Sequence, residues 1–441
     1  MNKKLVCAHD ELMRYGIREV VEVVQQLQAL DPHFQVLGEN IGDPVAKGWE
    51  VPAFIKDILV DLIRAADQQV LAYTHSHGNI ATRQWIAAHA RRCVPTARLD
   101  SEEVLFVNGL GAGISMLYRL LAPTARILQP LPAYPTHISA ERFHAGAEAI
   151  GYRLDPARQW QPDLEHLADQ LQRHPEVAGL LLINPNNPTG AVYPAAILEE
   201  IVRLAERHGL FLISDEVYFR LVYNQAAYTH ITALAQDRVP LLVMRGVSKD
   251  MPWPGARCGW LEFHNLKGNP AFQSYFQAMR KAIMLEVCAT SLPQAALPLI
   301  YDHPQYAIWL KRYRAELAAN AQAIYAILSR APGISVNPIQ GAFYMTILFE
   351  EGRLNERQSL PIANARAADL VRRLVAPPTL PLDKRFAYYL LAATGICVVP
   401  ATDFESPWPG FRITTLERDA QRRDHTYQRL TEVIAAYLAS A

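Results

Sequence analysis

The sequence predicts an α/β fold, in which a mostly parallel sheet is covered by helices on both faces and accompanied by a smaller α+β domain. Three observations support this fold class. Unbroken apolar segments alternate with helical patterns through the middle of the chain, as in parallel sheets buried on both faces. One long helical pattern, over residues 306–333, separates this region from a C-terminal part of different character. The chain has 441 residues, which is enough for two domains.

The strands of the large sheet are predicted from apolar runs that end in polar residues. These runs cover residues 102–109, 177–185, 210–216 and 240–248. Between them, the segment "AAILEEIVRLAERHG" repeats apolar residues at helical spacing, and Gly209 is its expected end. Strands and helices that alternate in this way indicate a sheet of parallel strands.

The smaller domain is expected to combine both ends of the chain. The segments "ISVNPIQGAFYMTILF" and "GICVVPATDF" predict strands, and residues 417–440 predict the last helix. We expect a large domain over 48–320, and a small domain formed by 1–47 with 321–441. Residues 350–385 are rich in Pro, Arg and Ala, and we expect an irregular insertion around a short helix that lies near the cofactor or the substrate access route.

Composition and charge narrow the classes of function. Lys and Arg together number 43, as do Asp and Glu, so the formal net charge is zero. This balance argues against binding to nucleic acid or membrane surfaces through bulk charge. Five scattered cysteines without a CxxC pair favour a reducing compartment over a disulfide framework or a zinc site. Because the N-terminus has no apolar signal segment and no apolar run could span a membrane, we expect a cytoplasmic protein.

Polar residues follow the predicted strands at the points where those strands end. Asn108–Gly111 follows the first strand, "NPNNPTG" (184–190) the next, Asp215 and Tyr218 the third, and Ser248–Lys249 the last. In parallel α/β sheets, ligands collect at the carboxyl ends of the strands. We therefore expect these side chains to line one cleft.

The residue types in this cleft suit one kind of ligand. Asp215 could bind a cation or hold a protonated ring nitrogen, and Asn187 could donate to a phenolate oxygen. Lys249 could form an imine with an aldehyde. Arg257 could bind a phosphate with help from the amides that begin a helix near Gly111. The common cofactor that combines a pyridine nitrogen, a phenolic oxygen, an aldehyde and a phosphate is pyridoxal phosphate.

The same motifs resemble a known family. "NPNNPTG", "SDEVY" and "SK…PGARCGW" resemble the class I aminotransferases of the fold-type I pyridoxal-phosphate family. "NIGDP…GWEVP", "TGICVVP" and "SPWPGFRITTL" are similar to segments of its alanine aminotransferase-like group. The resemblance implies a homodimer with its active site at the subunit interface. It also implies transfer of an amino group between an L-amino acid, alanine or glutamate, and a 2-oxo acid.

The resemblance assigns roles to individual residues. Lys249 corresponds to the Schiff-base lysine and acts in catalysis with Asp215 and Tyr218. The implied cofactor contacts are Gly109, Leu110, Gly111, Tyr134 (which stacks on the ring), Asn187, Asp215, Tyr218, Ser248, Lys249, Arg257 and, from the neighbouring subunit, Tyr73. The implied substrate contacts are Gly42, Asn187 and Arg412, of which Arg412 binds the α-carboxylate.

Some of these residues would also be compatible with other functions. Another pyridoxal-phosphate reaction at Cα, such as β-elimination or decarboxylation, stays open because the same residues activate Cα in every case. A nicotinamide-dependent oxidoreductase is disfavoured, because "NGLGAGI" has Ile114 where the dinucleotide fingerprint needs glycine. A metal site at His75, His77 and Cys93 is disfavoured because no further ligand stands at metal-binding spacing. A regulator without enzyme activity is disfavoured because the lysine is retained.

Overall fold

The computed structural model describes residues 5–13 and 15–440. An eight-stranded sheet forms the centre of the molecule. In spatial order its strands are β2 (Val104–Val107), β9 (Gly259–His264), β8 (Leu241–Gly246), β7 (Phe211–Asp215), β6 (Val177–Ile183), β3 (Arg126–Leu131), β4 (Gly151–Asp155) and β5 (Gln161–Pro162). The pairs from β8 through β4 are parallel, whereas β9 and the edge strand β5 run antiparallel to their neighbours.

Helices cover both faces of this sheet because successive apolar residues of each strand point to opposite sides. In β6, Leu180 and Leu182 pack with one set of helices, whereas Leu181 and Ile183 pack with the other. The first set contains α6 (Leu164–Arg173), α7 (Ala195–His208) and α8 (Ile231–Ala235), and the second contains α4 (Leu110–Arg119), α5 (Pro135–Ala145) and α9 (Pro270–Leu285). The predicted α/β class with a mostly parallel sheet is confirmed.

Three further helices pack beside the β2 end of the sheet. They are α2 (Ala53–Arg64), α3 (Ile80–Cys93) and α10 (Ser291–Tyr301). Their apolar faces form a cluster with residues of β2 and β9, including Phe106 and Trp260. The long helix α11 (Pro304–Leu328) follows.

A smaller antiparallel sheet is formed by strands from the C-terminal part of the chain. Its strands are β10 (Ile334–Val336), β11 (Tyr344–Phe349), β14 (Gly410–Thr414) and β13 (Val399–Pro400), in that order. A separate two-stranded pair joins β1 (Leu37–Gly38) to β12 (Ile396–Cys397). The helices packed here are α1 (Gly16–Leu30), α12 (Ala365–Leu374), α13 (Leu382–Thr394) and α14 (Ala420–Leu438). Among the described residues, no helix has both the length and the apolar character needed to cross a membrane.

The expected irregular insertion has more structure than the sequence predicts. Residues 350–385 contain all of α12 and the first turn of α13. Ala367, Leu370 and Val371 of α12 are buried in the core of the smaller unit, because they recur at helical spacing. No residue of this segment lines the main cavity. The expected place beside the cofactor is therefore not observed in the cavity described below, whereas the expected place near the substrate access route stays a prediction.

Candidate active site

A cavity of about 590 Å³ lies where the carboxyl ends of the parallel strands meet the smaller sheet and α1. Ile183 and Asp215 end β6 and β7 at its floor, and Lys249 follows β8. Arg412 of β14 lines it from the other side. The cavity thus has the place that ligands occupy in parallel α/β sheets, at the carboxyl ends of the strands.

One end of the cavity, formed by residues 109–111 and Arg257, is suited to an anion, and we call it the phosphate corner. Gly109 has a φ of +81° and immediately precedes α4, whose first residues, Leu110 and Gly111, line the cavity. The guanidinium of Arg257 lies so close to Gly109 that a Cβ there would overlap it. The space next to the Cα of Gly111 is open. Free amides at a helix start together with a guanidinium form a site that suits a phosphate group.

Asp215 lies at the cavity floor and is buried. Its Oδ1 accepts a hydrogen bond from the amide of Val217 at 3.1 Å, and its Oδ2 lies 3.3 Å from His137 Nε2. His137 Nδ1 in turn lies 3.2 Å from the hydroxyl of Tyr118. A carboxylate that is fixed in this way is suited to pair with the protonated nitrogen of a pyridine ring. The residues present therefore fit pyridoxal phosphate at both of its ends.

Lys249 reaches across the cavity to the N-terminal segment. Its Nζ donates a hydrogen bond of 2.6 Å to the main-chain oxygen of Gly42. The next residue, Asp250, is fully buried, and its carboxylate lies 3.2 Å from Arg220 Nε and accepts a 3.0 Å hydrogen bond from Tyr301. Burial raises the pKa of Asp250, which the charge of Arg220 opposes. This buried set fixes the main chain next to Lys249.

Four phenols lie in pairs around the cavity. The Tyr218 hydroxyl donates to that of Tyr344 at 3.1 Å, and the hydroxyls of Tyr134 and Tyr15 are 3.2 Å apart. Burial raises the pKa values of Tyr218 and Tyr134, so both stay protonated and can donate hydrogen bonds near neutral pH.

Arg412 is buried on the side of the cavity that lies opposite the large sheet. Two amide oxygens accept hydrogen bonds from its guanidinium. Its Nη1 donates to Asn187 Oδ1 at 3.1 Å, and its Nη2 donates to the Asn40 carbonyl at 2.6 Å. Its Nε has no hydrogen-bond partner among the described residues, and burial lowers its pKa. A buried guanidinium with a free donor suits a carboxylate ligand.

The predicted site residues are brought together, with one exception. The cavity is lined by Gly42, Leu110, Gly111, Tyr134, Asn187, Asp215, Tyr218, Ser248, Lys249, Arg257 and Arg412. Gly109 lies directly against Arg257. Tyr73 does not line this cavity and is 83% exposed.

Several residues of the cavity and its surroundings were missed by sequence reasoning. They are Tyr15, Arg18, Asn40, His137 and Tyr344. Tyr15 and Arg18 belong to the segment "RYGIREVV", which is similar to a segment of the alanine aminotransferase-like group. This similarity was the only sequence signal for these two residues.

Comparison with known proteins assigns the family. A profile of the family "Aminotransferase class I and II" matches residues 37–430. An uncharacterized aminotransferase of Methanocaldococcus jannaschii is 40% identical over 97% of both chains. The glutamate-pyruvate aminotransferase AlaA of Escherichia coli is 28% identical over 87% of both chains.

Solved structures agree with these relatives. An aminotransferase from Escherichia coli superposes with a TM-score of 0.83 at 25% identity, covering 98% of this chain and 99% of that one. An alanine aminotransferase from Pyrococcus furiosus has the same fold, with a TM-score of 0.82 at 24% identity over 97% of this chain and 99% of that one. The chain therefore belongs to the class I and II aminotransferases, and it is a pyridoxal-phosphate-dependent enzyme that transfers amino groups to 2-oxo acids.

Proposed function

We propose that the enzyme exchanges the amino group between alanine and glutamate through their 2-oxo acids, pyruvate and 2-oxoglutarate. The observation that carries this proposal is the placement of Lys249, Asp215 and Arg412 around one cavity. The relatives named glutamate-pyruvate and alanine aminotransferases support the choice of substrates. Because the matched relatives named here are aminotransferases, β-elimination and decarboxylation are not favoured.

Different residues around the cavity would contact different parts of the cofactor. When bound, pyridoxal phosphate supplies an electron sink for negative charge that develops on the substrate Cα. Asp215 would keep a proton on the ring nitrogen, and Asn187 and Tyr218 would donate to the ring oxygen. Arg257 and the amides of 109–111 would hold the phosphate, beside Ser248, and Tyr134 would stack on the ring.

The substrate is oriented by Arg412 and deprotonated by Lys249. A carboxylate bound to the free donor of Arg412 would fix one end of the amino acid. Lys249 Nζ would then take the proton from Cα as a general base. Gly42 belongs to a segment that lies over the cavity, because its carbonyl accepts from Lys249 and its Cα faces the Tyr344 hydroxyl. This segment would limit the access of water to the reacting atoms.

A homodimer is supported by an apolar surface beside the phosphate corner. Leu71 and Tyr73, two positions apart in the chain, are 65% and 83% exposed. The Ser291 hydroxyl donates to the carbonyl of residue 72 at 2.7 Å, which ties this surface to the start of α10. The main-chain amide of Thr290 donates a hydrogen bond to the side-chain oxygen of Asn108, and Asn108 directly precedes Gly109 of the phosphate corner. Large exposed apolar groups in one region indicate a protein interface, and Tyr73 would then serve the cavity of the partner subunit.

The domain division and the compartment are also proposals. Val20 and Leu27 of α1 share one apolar cluster with Leu430 of α14, which supports a small domain built from 1–47 and 321–441 beside a large domain over 48–320. The five cysteines are free, which supports a reducing compartment such as the cytoplasm.

An absorbance experiment tests the proposed function. The purified enzyme, loaded with pyridoxal phosphate, should show a visible band that L-alanine converts to the band of the amine form of the cofactor. Addition of 2-oxoglutarate should restore the first band. A band that alanine and glutamate both leave unchanged would contradict the proposed substrates, while no bound cofactor at all would contradict the proposed site.

A further inference from the structure

A largely buried ion pair connects the two strand ends that carry Asp215 and Lys249. Arg220 belongs to the loop after β7, the strand that ends at Asp215, and Asp250 directly follows Lys249. The Nε of Arg220 lies 3.2 Å from the Asp250 carboxylate. Because β7 and β8 are neighbouring parallel strands, this ion pair bridges their carboxyl ends.

Both partners of this ion pair are held by further contacts. The carboxylate of Asp250 accepts hydrogen bonds from the amide of Met251 at 2.9 Å and from the hydroxyl of Tyr301 at 3.0 Å. The guanidinium carbon of Arg220 lies 4.1 Å from the centre of the Tyr301 ring, and its Nη2 lies 3.0 Å from His89 Nε2. Contacts of this kind restrict both side chains to one arrangement.

A second ion pair joins the same two strand ends in the opposite direction. Arg245 of β8 donates to the carboxylate of Glu216 at 2.8 and 3.1 Å, and Glu216 directly follows Asp215. The guanidinium carbons of Arg220 and Arg245 lie 4.7 and 4.6 Å from the centre of the Phe219 ring. The carboxylates that follow the aspartate and the lysine are therefore each paired with an arginine from the other strand end.

Stability alone does not explain these ion pairs. Moving two charges out of water is costly, and apolar side chains of similar size are often as stabilising as a buried ion pair. A group that must meet a bound cofactor at one position requires fixed neighbours. Lys249 has a flexible side chain, and its hydrogen bond to Gly42 would be given up on attachment to the cofactor. The ion pair at Asp250 fixes the main chain that carries this lysine.

We propose that Arg220 and Asp250 are positioning residues that hold Lys249 at the aldehyde of bound pyridoxal phosphate. Attachment forms a C=N bond between Nζ and the aldehyde carbon and releases water. The noncovalent contacts of the cofactor, at the phosphate corner and at Asp215, do not need the lysine. The inference rests on the proposed attachment to Lys249 and deepens it, because it assigns roles to two residues that do not line the cavity.

A thermodynamic cycle separates positioning of the lysine from support of the fold. The affinity for pyridoxal phosphate is measured by equilibrium dialysis for Asp250→Asn and Arg220→Gln, each in the wild-type chain and in the Lys249→Ala chain. In the wild-type chain, where attachment contributes to binding, we expect each substitution to weaken the affinity about tenfold or more. In the Lys249→Ala chain the same substitutions should change the affinity less than twofold, because no attachment takes place.

The matched control is Arg312→Gln, which breaks an exposed ion pair with Glu316 and should not change the affinity in either chain. Circular dichroism checks the fold of each variant. If a neutral variant does not fold, Arg220→Lys and Asp250→Glu are compared in the same two chains. These variants keep the charges but displace them, so a smaller loss is expected, again in the wild-type chain alone.

Two results would overturn the inference without touching the proposed function. One is a loss in the Lys249→Ala chain at least as large as that in the wild-type chain, and the other is no loss in either chain. A different result would remove its basis as well. If Lys249→Ala by itself leaves both the affinity and the visible band of the bound cofactor unchanged, the proposed attachment to this lysine fails, and the inference fails with it.

Discussion

Lys249 and Gly42 are joined by a 2.6 Å hydrogen bond although they are 207 positions apart in the chain. The lysine follows a central strand of the large sheet, whereas the glycine follows the short strand β1 of the N-terminal segment. This bond connects the residue proposed to move the Cα proton to the segment that covers the cavity. Attachment of the cofactor to Lys249 would take the place of this contact, so we expect cofactor binding and the position of the segment to be coupled.

The first prediction concerns Lys249 itself. Lys249→Ala should lower turnover by more than about 10³-fold, because the enzyme loses both its proposed covalent attachment and its base. The fold should remain, since the side chain makes a single hydrogen bond of modest net value. Steady-state rates and circular dichroism measure the two effects. The control Lys267→Ala removes an exposed lysine and should leave both unchanged. Near-normal turnover in the Lys249 variant would exclude the mechanism.

The second prediction separates substrate binding from cofactor binding. Arg412→Ala should reduce kcat/KM for alanine by roughly 10- to 100-fold, because a buried charged contact to the α-carboxylate is lost. The affinity for pyridoxal phosphate, measured by titration of its absorbance, should change little. Arg366→Ala, at an exposed position on α12, is the control. An unchanged KM, or an equal loss of cofactor affinity, would remove Arg412 from the proposed role.

The sequence predicts those parts of the site that depend on local patterns. The ends of the apolar runs place Asp215 and Lys249 at strand ends, and the structure brings both to one cavity. The strand β9, by contrast, was not predicted. It contains buried Glu262 and His264, which interrupt its apolar pattern, and Glu262 is stabilised by an ion pair with Arg245 of the neighbouring strand. The effect of such a partner cannot be read from one segment alone.

The residues missed at the site have the same physical cause. His137 lies on α5 and reaches Asp215 across 78 positions. Tyr15 and Asn40 reach the cavity because the N-terminal segment packs against strands from the other end of the chain, including the contact from Asn40 to Arg412. These contacts depend on tertiary packing, which leaves no periodic signal in the segments involved. Only the resemblance to a family drew attention to Gly42 in this region.

The third prediction tests the phosphate corner. Gly109→Ala should weaken pyridoxal phosphate binding about tenfold or more, because the new Cβ would displace the Arg257 guanidinium. The control Gly268→Ala has nearly the same φ, +82° against +81°, but nothing lies within 4 Å of its Cβ position. Both variants place a Cβ at a positive φ, which favours glycine, but only the Gly109 variant also places it against the Arg257 guanidinium. Equal cofactor affinities in the two variants would contradict this prediction.

The fourth prediction concerns pH and His89. Burial, followed by the charges of Arg220 and Arg92, lowers the pKa of His89 from 6.5 to about 3. Between these two pH values the unfolded chain therefore binds a proton that the native protein does not, so stability rises with pH through this window. We expect a loss of roughly 1 to 2 kcal/mol from this group between pH 7.5 and pH 5.

His89→Gln should reduce this pH dependence, while His33→Gln, at an exposed position, should not. The measurement is the denaturant midpoint at both pH values, taken at one protein concentration because the proposed dimerisation would contribute to stability. If the His89 variant and the wild type lose stability equally on acidification, the assignment is incorrect.

The fifth prediction tests whether Tyr73 acts across the subunit interface. Tyr73→Ala and Lys249→Ala chains carrying different affinity tags are co-expressed, and the hybrid dimers are purified through both tags. If Tyr73 serves the partner's cavity, each hybrid has one complete site, formed by Lys249 of the first chain and Tyr73 of the second. Its activity should be about half that of the wild-type dimer, since one of two equivalent sites is intact.

Two matched samples make this result decisive. A hybrid of wild-type and Lys249→Ala chains should also reach about half activity, because it too retains one complete site. The Tyr73→Ala homodimer should be weaker than either hybrid, since both of its sites lack the phenol. If Tyr73 acted within its own chain, the Tyr73→Ala and Lys249→Ala hybrid would have no complete site and would be no more active than the mixture of its parents. The 83% exposure of Tyr73 and its absence from the lining of its own cavity favour the first result.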